Sequence, residues 1–544
     1  MNESEFYKNG EEMLMEMLEE WPVNATYMGI HKWDDRLGDF SLASQTEFNK
    51  KVNGYLNKLN SINTESYSKD AKIDYEILKQ LLKQQTRDFE IDKDHLRNPN
   101  HYMGAVFNGI MSLIIKDFAP IEERLNSLLG RLKEIPEILA AGEDILEAAK
   151  VPEVWIDITL QQTQMAPGLF KGLLPALAEN APDIKEEIIA EANKAAEAVE
   201  SYGEFLKNEV KPAADGEFAV GVDGFNTRLK EDHMVDYNQE ELLEIGWEIF
   251  NDTKEKMEKL AAEIDSEKTV REILNKAKQD HPSADKLLDK YRSVMAETKK
   301  FVKEHDIATI PENEKLTIIE TPAYMRPIIP FAAYMQPGIF EKELEGLFLV
   351  TPVNPDAPEK EKEEKLKAHP NGKLPVTTLH EGYPGHHLQL VWAVTCGTTI
   401  RKLGMMVSTL FVEGWAFYCE ELMEELGYID EPIQKLSRLN DQLWRAARII
   451  LDVSLHCRGM SVDEAVDFLV EECSLEKADA VAEVKRYTTS PTQPQSYLMG
   501  KREIISIIEK YKEKNPDKSM KEIHDSILAC GSLPPKLMKK QLFE

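Results

Sequence analysis

"TLHEGYPGHHLQL" (Thr378–Leu390) places three histidines and one glutamate in an otherwise apolar run. His380 and Glu381 are adjacent, as in an HExxH helix, where two histidines one turn apart bind zinc and the glutamate acts as a base. A proline occupies the position of the second histidine, and proline breaks regular helical hydrogen bonding. We therefore expect the helix to kink, bulge or restart here. A looped-out Pro-Gly insertion would return His386 to the ligand position, with His387 as its rival.

A second segment supplies the candidate for a third metal ligand. In "MMVSTLFVEGWAFYCEE" (405–421), Glu413 is the only charged residue before the final two glutamates. An uncompensated carboxylate in apolar surroundings costs several kcal/mol, so a bound cation is the expected partner. Two histidines, one glutamate and an open fourth position are typical of catalytic zinc, and one Zn²⁺ per chain is predicted. The glutamates that follow are predicted to form a solvated helical face (Glu420, Glu421, Glu424 and Glu425), although Glu420 is also a weak candidate for supporting the ligands.

A third segment, "DQLWRAARIILDVSLHCRGMS" (441–461), places Arg445, Arg448, Asp452 and His456 on one face of a helix. One interpretation is a surface ladder of ion pairs. The other is a substrate site, because the guanidinium group of an arginine suits a carboxylate and His456 would donate to a developing oxyanion.

The loop and helix in "KRYTTSPTQPQSYLMGKREI" (485–504) contribute two further candidates. Tyr497 is a candidate phenol for stabilising a tetrahedral intermediate, and the alternative is a tyrosine that packs at a helix start. Arg502 joins the arginines that would hold a substrate carboxylate, and His387 is a candidate substrate contact.

Composition excludes several classes of partner. The 544 residues include 66 basic and 97 acidic ones, a net charge of −31, which repels nucleic acids and anionic membrane surfaces. The first 21 residues lack the apolar region of a signal peptide, and no apolar run reaches the length of about 18 residues that a membrane span needs. Five cysteines without CxxC spacing indicate reduced thiols. The predicted location is therefore cytoplasmic, with no nucleic-acid or membrane partner.

Apolar residues at three- and four-residue spacing predict that most of the chain is helical, as in residues 119–149 and 182–210. Strand patterns are few: "KLTIIETP" (315–322) and "GLFLVTPV" (346–353) predict a small sheet just before the histidine segment. A Gly- and Asp-rich stretch at 211–233 indicates a break. We therefore predict an N-terminal helical region at 1–235 and a catalytic region at 236–544, which either stay distinct or form one continuous unit.

Several segments resemble the ordered blocks of the family known as domain of unknown function 885. They are "HEGYPGHHLQ", "VEGWAFYCEE", "ARIILDVSLH" and "RYTTSPTQPQSYLMG", with "YMRPIIPFAAYMQPG" (324–338) upstream. That family is regarded as related to the largely helical gluzincin metallopeptidases. The resemblance implies a mainly α zincin-like body with a small sheet beside the active-site helix and a deep cleft. It also implies zinc held by His380, His386 and Glu413, Glu381 as base, and substrate lying against an edge strand, for which "GLFLVTPV" is the candidate.

The sequence thus predicts a zinc metallopeptidase that cleaves short peptides by Glu-assisted attack of a zinc-bound water, in the manner of a carboxypeptidase. Glu381, with His456 or Tyr497, would be catalytic. Two alternatives stay open. One is a metal-dependent hydrolase of a non-peptide or isopeptide amide, and the other is a zincin-like binding protein without catalysis.

Overall fold

The computed structural model describes residues 1–322, 326, 329 and 331–544, so that part of the predicted segment 324–338 lies outside the described residues. The chain divides into two compact units. The first comprises residues 1–218 and 338–341, and the second comprises residues 219–337 and 342–544. The boundary after Phe218 falls inside the Gly- and Asp-rich stretch.

The first unit is helical. Helices α7 (Ile121–Ile145) and α10 (Lys185–Phe205) lie within the two segments in which apolar spacing predicted long helices, and their buried residues recur at three- and four-residue intervals. Its α-helices are α1 Glu3–Glu20, α2 Pro22–Met28, α3 Leu42–Asn60, α4 Lys69–Arg87, α5 Asp94–Arg97, α6 Pro99–Ile114, α7 Ile121–Ile145, α8 Glu153–Thr163, α9 Leu174–Ala178 and α10 Lys185–Phe205.

The second unit carries the histidine segment and a small sheet. Its α-helices are α11 Gly221–Glu231, α12 Gln239–Ile264, α13 Val270–Ala277, α14 Leu287–Glu304, α15 Glu359–Leu366, α16 Leu374–Glu381, α17 His386–Thr395, α18 Thr399–Lys402, α19 Gly404–Val407, α20 Leu410–Glu425, α21 Pro432–Cys457, α22 Val462–Glu472, α23 Lys477–Thr489, α24 Ser496–Lys514, α25 Met520–Leu528 and α26 Pro535–Phe543.

The sheet of the second unit contains β1 (Glu314–Glu320), β2 (Ala332–Met335) and β3 (Leu344–Val350) in the order β1-β3-β2. Strand β3 pairs in parallel with β1 and antiparallel with β2. The two predicted strands are confirmed, and β2 was missed. The expectation that "GLFLVTPV" forms an edge strand was wrong, because β3 has hydrogen-bonded neighbours on both sides.

The mainly helical class with a small sheet is confirmed. Among the residues that the structure describes, no helix combines the length and the apolar character required to cross a membrane.

Candidate metal centre

The helix of the histidine segment stops and restarts, as the Pro-Gly pair predicted. Helix α16 ends at Glu381 and α17 begins at His386. The connection is held from both sides, because the amide of Gly385 donates to the Leu379 carbonyl oxygen over 3.0 Å and the Trp415 indole donates to the Pro384 carbonyl oxygen over 2.8 Å. Any Cβ at Gly385 would collide with backbone carbonyl oxygens of α16, so glycine is required there.

The restart brings His380 and His386 together with Glu413 of α20. The two imidazole rings lie 4.7 Å apart at 89°, and one ligand atom from each of the three residues lies within 4.8 Å of the others. His386 Nε2 is 3.4 Å from Glu413 Oε2. Ligands about 2.0–2.2 Å from a tetrahedral zinc are separated by about 3.4 Å, so the donor set fits zinc in its chemistry and the His386–Glu413 pair fits it in spacing.

The two histidines of this cluster lower the pKa of the Glu413 carboxyl group and so favour its ionised form. Burial raises the pKa of the Glu413 carboxyl, but the hydrogen bond and charge of His386 and the charge of His380 outweigh burial and lower that pKa to about 2. Burial lowers the pKa of His386, whereas Glu413 and the neighbouring Glu381 and Glu420 raise it, and the net shift is upward. Glu413 therefore stays ionised at neutral pH and needs no deprotonation to bind a metal.

Glu420 supports the first histidine. It lies two turns along α20 from Glu413 and its Oε1 is 2.7 Å from His380 Nδ1, which leaves His380 Nε2 for the metal. The prediction that these glutamates form a solvated helical face was wrong for Glu420, which is 2% exposed. Glu421 and Glu424 instead form ion pairs with Lys501 and Arg438. The weaker interpretation of Glu420, support of a ligand, agrees with its contact to His380; it was the weaker one because an acidic run normally faces solvent and the partner lies 40 residues earlier in the chain.

His387 points away from the cluster that its neighbour joins. It is fully buried, and its Nε2 is 2.6 Å from Glu314 Oε2 on β1. Its Nδ1 is 3.1 Å from the Tyr334 hydroxyl on β2. Burial, only partly offset by Glu314, lowers the pKa of His387. Both ring nitrogens are therefore engaged by protein groups, and His386 is the histidine that faces Glu413.

Zinc content should distinguish the two adjacent histidines. We expect His386→Ala to lose stoichiometric zinc, because it removes a ligand, whereas His387→Ala should keep zinc even if the lost contacts with Glu314 and Tyr334 lower its melting temperature. The measurement is metal analysis of both purified variants, with circular dichroism to verify folding. A folded His387→Ala without zinc, or a fully loaded His386→Ala, would contradict the assignment.

A cavity of about 420 Å³ opens onto the cluster. Besides the three clustered residues, its wall includes Glu381, which the sequence predicted as a base. Tyr334 and Trp444 also line the cavity and were missed. Trp444 precedes the predicted arginine and carried no distinguishing pattern of its own. The full lining is Tyr334, His380, Glu381, His386, Leu390, Val412, Glu413, Trp444, Arg445, Arg448 and Tyr497.

The two predicted arginines of α21 line this cavity. Arg445 Nη1 lies 3.4 Å from Asp441 Oδ1, and Arg448 Nη2 lies 3.1 Å from Glu483 Oε2. Three further donors of these side chains and of Trp444 are buried without a hydrogen-bond partner among the described residues. They are Arg445 Nε, Arg448 Nη1 and the Trp444 indole nitrogen. Both arginines line the cavity and bring positive charge to this wall, which is therefore suited to an anionic or carbonyl group.

Tyr497 reaches the cluster because two glycines let α24 approach α20 closely. A Cβ at Gly500 would collide with the Leu410 carbonyl oxygen, and one at Gly414 would collide with the backbone of Gly500. Burial and the nearby Glu413 raise the pKa of the Tyr497 hydroxyl, which therefore stays protonated, and its hydrogen bond contributes to the low pKa of Glu413. The Arg448 guanidinium lies 4.6 Å from the centre of the Tyr497 ring.

His456 and Arg502 are not among the residues that line the cavity. His456 is buried at the far end of α21, with Nε2 3.0 Å from the Tyr487 carbonyl oxygen. It shares the helix face of Arg448, but eight residues place it about 12 Å further along the axis. Arg502 is exposed on α24, and five residues rotate it about 140° from Tyr497.

Solved structures resemble this chain over 97–100% of its length, and no curated protein matches it. One is described as a "putative lipoprotein of unknown function" from Shewanella oneidensis, with a TM-score of 0.82, 24% identity and 100% of each chain covered. Another, a "putative lipoprotein" from Colwellia psychrerythraea, has a TM-score of 0.78 and 18% identity, with 97% of this chain and 96% of that chain covered. At these identities the likeness shows a shared fold. The family model described as "Bacterial protein of unknown function (DUF885)" matches residues 22–542, and the chain therefore belongs to that family.

Proposed function

We propose that this protein is a zinc-dependent metallopeptidase that hydrolyses short peptides and acts as a carboxypeptidase, on a zincin-like arrangement of the gluzincin type. The observation that carries the proposal is the cluster of His380, His386 and Glu413, with one ligand atom of each within 4.8 Å, beside Glu381 in a single cavity. A structural ion pair would explain Glu413 and His386. It would not explain a second imidazole turned toward them by its own buried glutamate, Glu420.

The ligand roles follow from the hydrogen bonds. His380 would bind the metal through Nε2, since its Nδ1 is engaged by Glu420, and His386 and Glu413 would complete the protein ligands. A bound Zn²⁺ would polarise the scissile carbonyl and make water a stronger acid and nucleophile. Glu381, at the end of α16 next to His380, would accept a proton from the attacking water and deliver it to the leaving amine.

Tyr497 is the group best suited to donate to the developing oxyanion. Its hydroxyl faces the cluster, and its raised pKa keeps the proton available. His456, about 12 Å beyond Arg448 along α21, is less suited to this role.

The α21 wall favours a substrate with a free carboxylate. Two arginines, Arg445 and Arg448, line one cavity with the candidate ligands and with Trp444. Their positive charges would attract a C-terminal carboxylate, and binding of that group would make the enzyme an exopeptidase. The predictions of a cytoplasmic location and of no nucleic-acid or membrane partner remain predictions.

Metal removal tests the proposal. We expect one zinc per chain, release of single C-terminal residues from a mixed library of di- to tetrapeptides, and loss of that activity on chelation with recovery on adding zinc. C-terminally amidated peptides should react about 10- to 100-fold more slowly, because an unpaired charged donor costs about 1.5–3 kcal/mol. A zinc-loaded protein that cleaves non-peptide amides alone would favour the alternative hydrolase, and one that binds peptides without cleaving any would favour a binding protein.

A further inference from the structure

Arg448 of the cavity wall is held by two residues of α23 that are not among those lining the cavity. Its Nη2 lies 3.1 Å from Glu483 Oε2, and its Nε donates to the Tyr487 hydroxyl oxygen over 3.2 Å. The Tyr487 hydroxyl donates in turn to the same Oε2 over 2.7 Å. The three side chains therefore close a ring of hydrogen bonds on one edge of the Arg448 guanidinium group.

The rest of this guanidinium group is bounded by aromatic rings. Its Cζ lies 4.5 Å from the centre of the Trp444 ring and 4.6 Å from the centre of the Tyr497 ring. A guanidinium group can bind a carboxylate with two hydrogen bonds along the edge of Nε and Nη2 or along the edge of Nη1 and Nη2. Glu483 and Tyr487 occupy the first edge. The second edge remains for a ligand, and its Nη1 has no hydrogen-bond partner among the described residues.

Glu483 orients Arg448 without cancelling its charge, because a second arginine shares the same carboxylate. Arg486 Nη2 lies 2.9 Å from Glu483 Oε2, so that one carboxylate stands between two guanidinium groups and balances only one of their charges. Burial raises the pKa of the Glu483 carboxyl, but the charges of Arg448 and Arg486 outweigh burial and lower that pKa to about 2. Glu483 is therefore ionised at neutral pH and accepts these hydrogen bonds as a carboxylate.

We propose that Glu483 is a positioning residue for substrate binding, which orients Arg448 so that the guanidinium group binds the C-terminal carboxylate of a peptide. The inference rests on the proposed carboxypeptidase function and deepens it, because it names a residue on which the selectivity for a free carboxylate depends. A mobile arginine loses side-chain entropy when it binds a ligand, whereas one held by α23 has lost that entropy on folding. Peptides would therefore bind more tightly than their C-terminal amides, and the difference would depend on Glu483.

Substitution of Glu483 tests this positioning role against a purely electrostatic one, because the two roles predict opposite results. Glu483→Ala removes the acceptor and a negative charge. We expect it to weaken binding of a free-carboxylate peptide about 10-fold, the scale of one hydrogen bond to a charged group, and to leave binding of the C-terminal amide unchanged. Glu483→Gln keeps a neutral acceptor and should recover part of this loss. If charge alone mattered, both variants would bind the free carboxylate more tightly.

A double-mutant cycle shows whether Glu483 acts through Arg448. On an Arg448→Gln background, Glu483→Ala should weaken binding little further, because the interaction through which it acts has already been removed. Glu503→Ala is the matched control. The Glu503 side chain on α24 is 25% exposed, against 20% for Glu483, and it forms an ion pair with Lys539. This control should leave the binding of both peptides unchanged.

Calorimetric titration in the presence of zinc, with Glu381→Gln as the common background, measures binding without turnover. The ligands are the most tightly bound member of a di- to tetrapeptide library and its C-terminal amide. With Glu381 intact, Glu483→Ala should raise KM for the free-carboxylate peptide about 10-fold and change kcat little, as expected when an interaction common to substrate and transition state is lost.

Three results would overturn the inference: equal losses for the peptide and its amide, tighter binding of the free carboxylate, or an undiminished effect on the Arg448→Gln background. If binding follows the expected pattern but the parent protein hydrolyses no peptide, the peptidase proposal fails while the positioning role stands. If the parent protein hydrolyses peptides and binds the free carboxylate no better than the amide, the positioning role fails while the peptidase proposal stands.

Discussion

Replacing Glu381 by glutamine is expected to lower kcat for peptide hydrolysis by about 10²- to 10⁴-fold, the range that a positioned general base contributes. Glutamine keeps the size and polarity of the side chain but cannot accept the proton of the attacking water. Glu381 is not one of the three proposed ligands, so the variant should bind as much zinc as the parent protein. KM should change little, since the substitution leaves the arginines of α21 in place.

The measurement combines metal analysis with steady-state kinetics on one peptide. Glu425→Gln, at the exposed end of α20, makes the same chemical change away from the cavity and should leave kcat unchanged. Full activity in Glu381→Gln would show that Glu381 is not the base. Loss of zinc in this variant would instead place Glu381 among the ligands and require a different donor set.

His380, His386 and Glu413, which the structure brings together, could be singled out in the sequence because their signals are local. A proline followed by glycine between two histidines predicts a restart of the helix, and a lone carboxylate in an apolar run predicts a buried charge that needs a partner. Glu413 could be found in this way without knowing which helix it faces. Strands β1 and β3, which come before and after β2 in the chain, could also be predicted, because each is a continuous β-branched or apolar run. β2 itself has four residues, and such short strands depend on pairing with a neighbour.

The remaining parts of the site depend on contacts between residues far apart in the chain, which helical periodicity cannot predict. Periodicity placed His456 on the same face as Arg448, but which part of that face lines the cavity depends on the elements packed against α21. Trp444 and Tyr334 carry no charge, and nothing in their neighbourhood distinguishes them from aromatic residues of the core. Glu420 looked like part of a solvated acidic face. Each of these roles becomes visible only when a partner far away in the chain is known, as His380 is for Glu420.

Replacing Gly385 by alanine is expected to disrupt the proposed metal centre even though the residue is not one of the proposed ligands. The amide of Gly385 bonds to the Leu379 carbonyl oxygen, and a Cβ at this position would collide with the carbonyl oxygens of Leu379 and His380. These are backbone atoms of α16, so relief requires α17 to move away, and His386 is its first residue. We expect a loss of about 3 kcal/mol in unfolding free energy and at least about 10- to 100-fold weaker zinc binding.

Gly54→Ala is the matched control, because Gly54 lies within α3 on an exposed face where an added Cβ meets nothing within 4 Å. Alanine has the higher helix propensity, and this variant should gain about 0.5–1 kcal/mol and keep its zinc. Urea unfolding of the zinc-free proteins and competition with a chelating dye separate the two effects. Wild-type zinc affinity in Gly385→Ala would mean that α17 shifts without moving His386, and the close approach at Gly385 would then not be what sets the spacing of the ligands.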